Sequence, residues 1–260
     1  MGLWPTSGLL CDWATARVGN ISWNMCIYHE WEVRDMCVSR TVARGGAWEP
    51  VLSGTMLRTL FAHRAERARL IDIGANIGFY TLAAGAAGFA AHAFEPVPRN
   101  AAMLQMSLER NKLEERVRLA TFAVSDAPKA LLMGRSNRNQ GGVSHLDALQ
   151  KHAGGTALAA LPLADVLAED PGRPTYVKMD VESSECAAVR GMRDWPARAR
   201  IVGWQMEMKQ STRECCVQNN WTGPGGLFHT LHDLQGLRPR ARNATLRFLC
   251  FNAPPDLVWL

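Results

Sequence analysis

Apolar residues in this chain gather in short dense runs, separated by stretches with helical spacing. Leu70 to Ile73, Ala90 to Phe94, Val117 to Val124, Thr175 to Val181 and Ile201 to Glu207 read as strands. Within Thr175 to Val181, Tyr176, Lys178 and Asp180 share one face, and Val177, Met179 and Val181 share the other. Leu52, Met56, Leu57, Leu60 and Phe61 fall at helical spacing ahead of the first strand. Helices are also expected over Asn76 to Ala87, 99–112 and 225–236. Leu237 to Arg242 and Thr245 to Asn252 read as a closing antiparallel hairpin; 129–160 carries the least readable pattern, with Asn137 to His145 a loop or hairpin. This order predicts an α/β fold that is Rossmann-like, with a mostly parallel seven-stranded sheet and an antiparallel C-terminal hairpin.

Residues 1–50 have a different texture. Five of the nine tryptophans lie there (Trp4, Trp13, Trp23, Trp31, Trp48), among Gly, Asn and Pro and with little periodicity. Large aromatics are usually buried for their area, so this stretch is expected to be an extension packed on a core formed by 51–260. Asp35 to Ser39 and Gly45 to Pro50 are placed to form a lip over a pocket.

Composition narrows the class. The 260 residues suffice for one α/β domain with an extension, and 47% apolar with 20% charged residues is ordinary for a globular protein. A net charge of +5 is too diffuse to argue for nucleic acid, which is not expected as a partner. No run approaches the roughly 18 apolar residues of a membrane span. The first residues lack the basic and apolar regions of a secretory signal. Seven cysteines form no C-x-x-C pair and no zinc spacing, and their odd number favours a reduced, cytoplasmic protein. Three N-x-S/T sequons, at Asn20, Asn220 and Asn243, point instead to a secretory lumen, if an upstream signal or anchor is missing from this chain.

Candidate chemistry centres on residues 69–96. Gly74 and Gly78 bracket a turn after the first strand, and Glu95-Pro96 closes the second. Glu95 lies about 20 residues past the turn, where an acid accepts both hydroxyls of a ribose. A dinucleotide fold wants a third glycine where Asn76 stands. Asp72 would repel a diphosphate but suits a ligand bearing an ammonium and a sulfonium, and S-adenosylmethionine is such a ligand. Asp126, after the third strand, is placed to accept from an adenine amino group, although a plain turn aspartate fits as well. Asp72, Glu95, Asp180 and Glu207 each finish a strand, at the sheet end where ligands bind in open parallel sheets.

The blocks DIGANIGFYTL (72–82), AFEPVPRNAAML (93–104), FAVSD (122–126) and VKMDVESSE (177–185), with Glu207, resemble the FkbM family of class I S-adenosylmethionine-dependent methyltransferases. The resemblance spans about residues 65 to 210. It implies methyl transfer to a hydroxyl of a sugar or small metabolite, so a small-molecule or glycan acceptor. Cofactor contacts are then expected from Asp72, Gly74, Asn76, Gly78, Phe79, Glu95, Pro96, Ser125 and Asp126. Asp180 is the expected base, with Glu182 and Glu207 next and Lys178 holding Asp180 ionised. A divalent metal bridging Asp180 and Glu207 is an alternative way to activate the hydroxyl, though no metal motif indicates one. Where the family commonly has glycine after the D-x-E glutamate, this chain has Ser183; at positive φ it would cost about 1 kcal/mol and shift Glu182. Two rival readings are an NAD-linked oxidoreductase and a non-catalytic lumenal binding protein on the same fold.

Overall fold

Every residue of Arg69–Ile73 and of Thr175–Met179 is buried, as strands covered by helices on both faces must be. A computed structural model describes residues 11–29, 38–133, 145–147, 156–167, 170, 172–208, 210–221, 226–231, 237 and 256–259. Strands β1 (Asp12–Val18) and β2 (Ile21–Ile27) form an antiparallel hairpin about the turn Gly19-Asn20. Helices α1 (Val38–Ala43) and α2 (Pro50–Ala62) lead to β3 (Arg69–Ile73), α3 (Phe79–Ala86), β4 (Ala90–Phe94), α4 (Pro98–Asn111) and β5 (Val117–Ala120). Strands β6 (Ala123–Val124), β7 (Lys129–Met133), β8 (His145–Asp147) and β9 (Thr156–Leu161) form a separate small sheet in the order β6-β9-β7-β8. The chain returns through β10 (Thr175–Met179), α5 (Glu185–Met192), α6 (Trp195–Arg198), β11 (Ile201–Glu207), α7 (Gln210–Gln218), α8 (Leu227–His229) and β12 (Asp256–Trp259).

The main sheet has the order β12-β11-β10-β3-β4-β5. Its five strands from β11 to β5 are parallel, and β12 pairs antiparallel with β11. Succession runs outward from β3 through β4 to β5, then restarts on the other side at β10. The reversal between β3 and β10 opens a crevice at the carboxyl ends of the strands, where such sheets take ligands.

Alternation along the strands divides the core in two. Leu70, Ala91, Ala93 and Tyr176 face a cluster with α2, α3, α4 and the β1–β2 hairpin. Ile71, Ile73, Phe94, Val177, Met179, Trp204 and Met206 face a second cluster with α5, α6 and α7. The split of Tyr176 from Val177 and Met179 is the one their alternation predicts.

Several expectations need correction. Among the described residues the main sheet has six strands, and a seventh is not seen among them. The hairpin expected over 237–252 lies almost wholly outside the described residues, and the antiparallel edge strand seen is Asp256–Trp259. The third expected strand breaks at residue 121, and its two halves join different sheets. The stretch 129–160, which carries no clear pattern, contributes β7, β8 and the start of β9 to the small sheet, and the loop expected over 137–145 lies outside the described residues except for His145. The first 50 residues hold a regular hairpin, in which Trp23 packs edge-on to Phe79 at 5.2 Å.

The expectation of reduced thiols does not hold for the five described cysteines. Cys11–Cys26 and Cys186–Cys215 are disulfides, and Cys216 is disulfide-bonded as well. Cys186 lies on α5 and Cys215 on α7, so the fold pairs them where sequence spacing carries no sign of it.

Candidate functional site

The turn after β3 is shaped by its neighbours. Gly74 has φ +81, and a Cβ there would stand 1.8 Å from the Asp180 carbonyl oxygen; Gly78 has φ +94 and abuts Leu104. Both need glycine for the close approach of chain to chain. The turn's amides are donated internally: Gly74 and Ala75 to Phe94 O, Gly78 to Ala75 O, Ile77 to its neighbour Asn76 Oδ1 and Asn76 to Glu95 Oε2. A diphosphate needs such amides free, so the turn does not suit a dinucleotide.

Glu95 is buried beneath this turn. Its Oε1 accepts from the Val97 amide at 2.9 Å and from Asn100 Nδ2 at 3.3 Å. Burial pushes its carboxyl up to about 7 even against those donors. The Tyr28 hydroxyl, beyond the end of β2, donates to Asn100 Oδ1 at 2.5 Å and links the N-terminal hairpin to this acid.

Lys178 is the buried cation of the site. Its Nζ donates to Gly74 O at 2.8 Å and lies 3.6 Å from Asp72 Oδ1 and 3.8 Å from Asp180 Oδ2. Burial alone would lower its pKa, but Asp72, Asp180, Glu49 and Glu95 outweigh that and hold it above the ordinary lysine range. Asp72 is itself buried and accepts from the Thr81 hydroxyl at 2.6 Å. The side chain of Asp180 is 41% exposed against 7% for Lys178, so Asp180 reaches the opening while its partner does not.

These groups enclose a cavity of about 360 Å³ in the crevice between β3 and β10, within the range of small-molecule sites. Gly74, Asn76, Gly78, Phe79, Glu95, Pro96, Lys178, Asp180, Glu182 and Glu207 all line it. Three expected residues do not. Asp72 lies behind the turn, bound to Thr81 and Lys178. Ser125 and Asp126 also fall outside the lining, and both Asp126 oxygens are engaged, by Lys129 at 3.0 Å and by Arg190 at 2.9 Å. Burial works against ionisation of Asp126, but those two cations hold its carboxyl below the usual range. Asp126 is thus ion-paired on both oxygens and lies outside the cavity lining.

The lining also holds residues that the sequence did not single out as contacts. Trp48 and Glu49 reach it from the expected lip, and Tyr80 from the start of α3. The Tyr80 hydroxyl donates to Glu49 Oε2 at 2.5 Å and accepts from Gln205 Nε2 at 3.0 Å. Burial, then the Glu49 charge, raise the Tyr80 pKa, so it stays a neutral donor. Asp180, Glu185 and Glu207 each offer an oxygen within 4.8 Å of the others, a set able to hold a divalent cation. Glu185 is the buried member; it accepts from the Val181 amide and the Thr212 hydroxyl, and burial pushes its carboxyl up.

A family model described as the methyltransferase FkbM domain matches residues 72–232, more than half of the chain. Among solved structures, the METTL16 MTase domain is similar at 13% identity and TM-score 0.39, over 79% of this chain and 64% of that one. The precorrin-6y C5,15-methyltransferase of Geobacter metallireducens GS-15 is similar at 10% identity and TM-score 0.41, over 86% and 90%. Cofactor-bound Rv0187 from MTB is similar at 14% identity and TM-score 0.43, over 80% and 79%. The chain thus spans less than two thirds of the METTL16 domain. No curated protein matches it.

Proposed function

The chain belongs to the FkbM methyltransferase family, and we propose that it transfers a methyl group from S-adenosylmethionine to a hydroxyl oxygen of a sugar or small metabolite. Residues 51–260 are taken as the catalytic domain and 1–50 as its extension. The observation that carries the reading is Asp180: a carboxylate open to the cavity, at the end of β10, beside a buried lysine.

Gly74, Asn76, Gly78, Phe79, Glu95 and Pro96 would hold the cofactor. Glu95 has the chemistry to accept from ribose hydroxyls, and Phe79 and Pro96 offer flat apolar surface. Glu49, Asp180, Glu182 and Glu207 give the cavity a negative wall that favours a cationic ligand. Bound there, S-adenosylmethionine supplies an electrophilic methyl carbon on a positively charged sulfur.

A neutral alcohol attacks such a carbon poorly unless a base removes its proton. Asp180 takes that proton onto a carboxylate oxygen. Lys178, 3.8 Å from Asp180 and bound to Gly74 O, fixes that carboxylate relative to the Gly74 turn. Glu182 and Glu207 accept hydrogen bonds from the acceptor and aim its hydroxyl. A divalent cation on Asp180, Glu185 and Glu207 would instead lower the hydroxyl's own pKa. Loss of turnover in EDTA, restored by Mg²⁺, would select that second route.

No helix among the described residues is long and apolar enough to cross a membrane, and the acceptor is to be found by assay. The test is incubation with methyl-labelled cofactor and fractionated cell glycans and metabolites. Label should enter a hydroxyl-bearing acceptor, and Asp180→Asn should abolish transfer while leaving S-adenosylhomocysteine binding within about threefold. A variant that still transfers at the wild-type rate refutes Asp180 as base.

A further inference from the structure

We propose that Asn20 carries an N-linked glycan and that the chain folds in an oxidising, glycosylating lumen. Two independent features support this. The first is covalent: all five described cysteines are disulfide-bonded, with Cys11–Cys26 closing the base of the β1–β2 hairpin and Cys186–Cys215 clipping α5 to α7. Structural disulfides persist in secretory compartments, whereas the cytosol of most cells keeps thiols reduced.

The second is the placement of the sequon Asn20-Ile21-Ser22. Val18 pairs with Ile21, so Gly19-Asn20 is a two-residue turn at the apex of the hairpin. Asn20 and Ser22 are both exposed, and nothing lies within 4 Å of a Cβ built on Gly19. A bulky sugar on Asn20 therefore meets open solvent, and Asn20 is not among the residues lining the cavity. The other sequons are poorer. The middle residue of Asn220-Trp221-Thr222 is buried against Phe228 at 5.7 Å, and Asn243 lies outside the described residues.

The modification transfers an oligosaccharide from a polyprenyl diphosphate donor. The bond from the sugar C1 to the diphosphate oxygen breaks, a bond from C1 to Asn20 Nδ2 forms, and the amide loses one proton. The lipid diphosphate departs with the bonding pair, so no net redox change occurs. Each disulfide, separately, forms when two thiols pass two electrons and two protons to an oxidised dithiol carrier of the same compartment.

The experiment uses full-length protein isolated from the cells that make it. Peptide N-glycosidase should lower its mass by one glycan and leave aspartate in the peptide at position 20. Alkylation without reduction should leave Cys186 and Cys215 in one cross-linked peptide. In a eukaryotic secretory host, N20Q and S22A should each abolish the mass shift at position 20 while S-adenosylhomocysteine binding stays unchanged. S22A retains the asparagine, so its loss of sugar reports the sequon rather than the fold. An unmodified Asn20 in the native protein overturns the glycan, and freely alkylated Cys186 and Cys215 overturn the compartment.

Discussion

The backbone N–H of Asn76 donates to Glu95 Oε2 at 2.8 Å, which ties the glycine turn after β3 to the acid that follows β4. Glu95 is therefore held in place by a donor from the turn that borders the same cavity. With Val97 and Asn100 on its other oxygen, Glu95 is well supplied with donors. It still titrates near neutrality, because burial outweighs them.

With Glu95 accepting from the ribose as proposed, cofactor affinity should depend on pH. Ribose hydroxyls donate best to an ionised carboxylate, and Glu95 loses its proton at about 7. S-adenosylhomocysteine affinity, measured by calorimetry from pH 5.5 to 8.5, should be level above neutrality and weaken below it, towards about tenfold per unit. Glu95→Gln should bind more weakly at pH 8 and show a flat profile. Stability runs the opposite way. The folded pKa lies above the unfolded one, so the folded state binds more protons between them, and stability falls as pH rises through that window. A wild-type affinity that does not change between pH 6 and 8 would show that Glu95 does not contact the ribose.

Lys178 neutralises buried charge as well as serving the site. Removing it leaves Asp72 buried without its cation, and unpairing a buried charge costs about 3–5 kcal/mol. Lys178→Met should lower the urea midpoint by a corresponding amount. Asp72→Asn in the same chain should recover part of the loss, a coupling that a double-mutant cycle measures. Additive effects of the two changes would mean that the 3.6 Å approach of Lys178 to Asp72 carries no energy.

Most of the central sheet was legible because its signal is local. The β3 and β10 strands are fully buried, so they read as compact runs, and Pro96 marks the end of the second strand. What escaped depends on chain pairing at long range. Glu49, Tyr80 and Gln205 meet across 31 and 125 residues of sequence, and no local pattern announces that meeting. Asp126 likewise has a partner, Arg190, that lies 64 residues away and that no local pattern announces. The disulfide partners are concealed in the same way. The N-terminal hairpin is different, for its signal was present: Ile21, Trp23, Met25 and Ile27 alternate with Ser22 and Asn24 after a Gly-Asn turn. The density of tryptophan obscured that alternation.

Gly74 has a structural reason to be glycine besides the one that the sequence suggests. Sequence logic keeps it small so that a ligand can approach the backbone; in the fold, the Asp180 carbonyl already occupies the place of a Cβ. Gly74→Ala must therefore push β10 away from β3 as well as adopt positive φ. The expected penalty is about 3 kcal/mol or more, read as a fall in the urea midpoint. Turnover should fall further than folded fraction accounts for, because Asp180 moves with its own carbonyl. Normal turnover at full folding would show that the position of Asp180 is not critical.

Ser183 supplies the opposite case, where a substitution should help. Its φ is 77°, directly after Glu182 at φ 52°, so two successive non-glycine residues hold left-handed backbone beside the cavity. A side chain in that region costs about 1 kcal/mol. Glycine removes the cost but adds freedom to the unfolded chain, which returns part of the gain. Ser183→Gly should thus stabilise the protein by about 0.5 kcal/mol, seen as a small rise in the urea midpoint with unchanged slope. Ser183 is exposed and has no packing to lose. If strain at this turn also displaces Glu182 from the acceptor, the same substitution should raise kcat with little change in cofactor affinity. A destabilised Ser183→Gly would mean that the serine hydroxyl holds the turn, and the strain argument would fail with it.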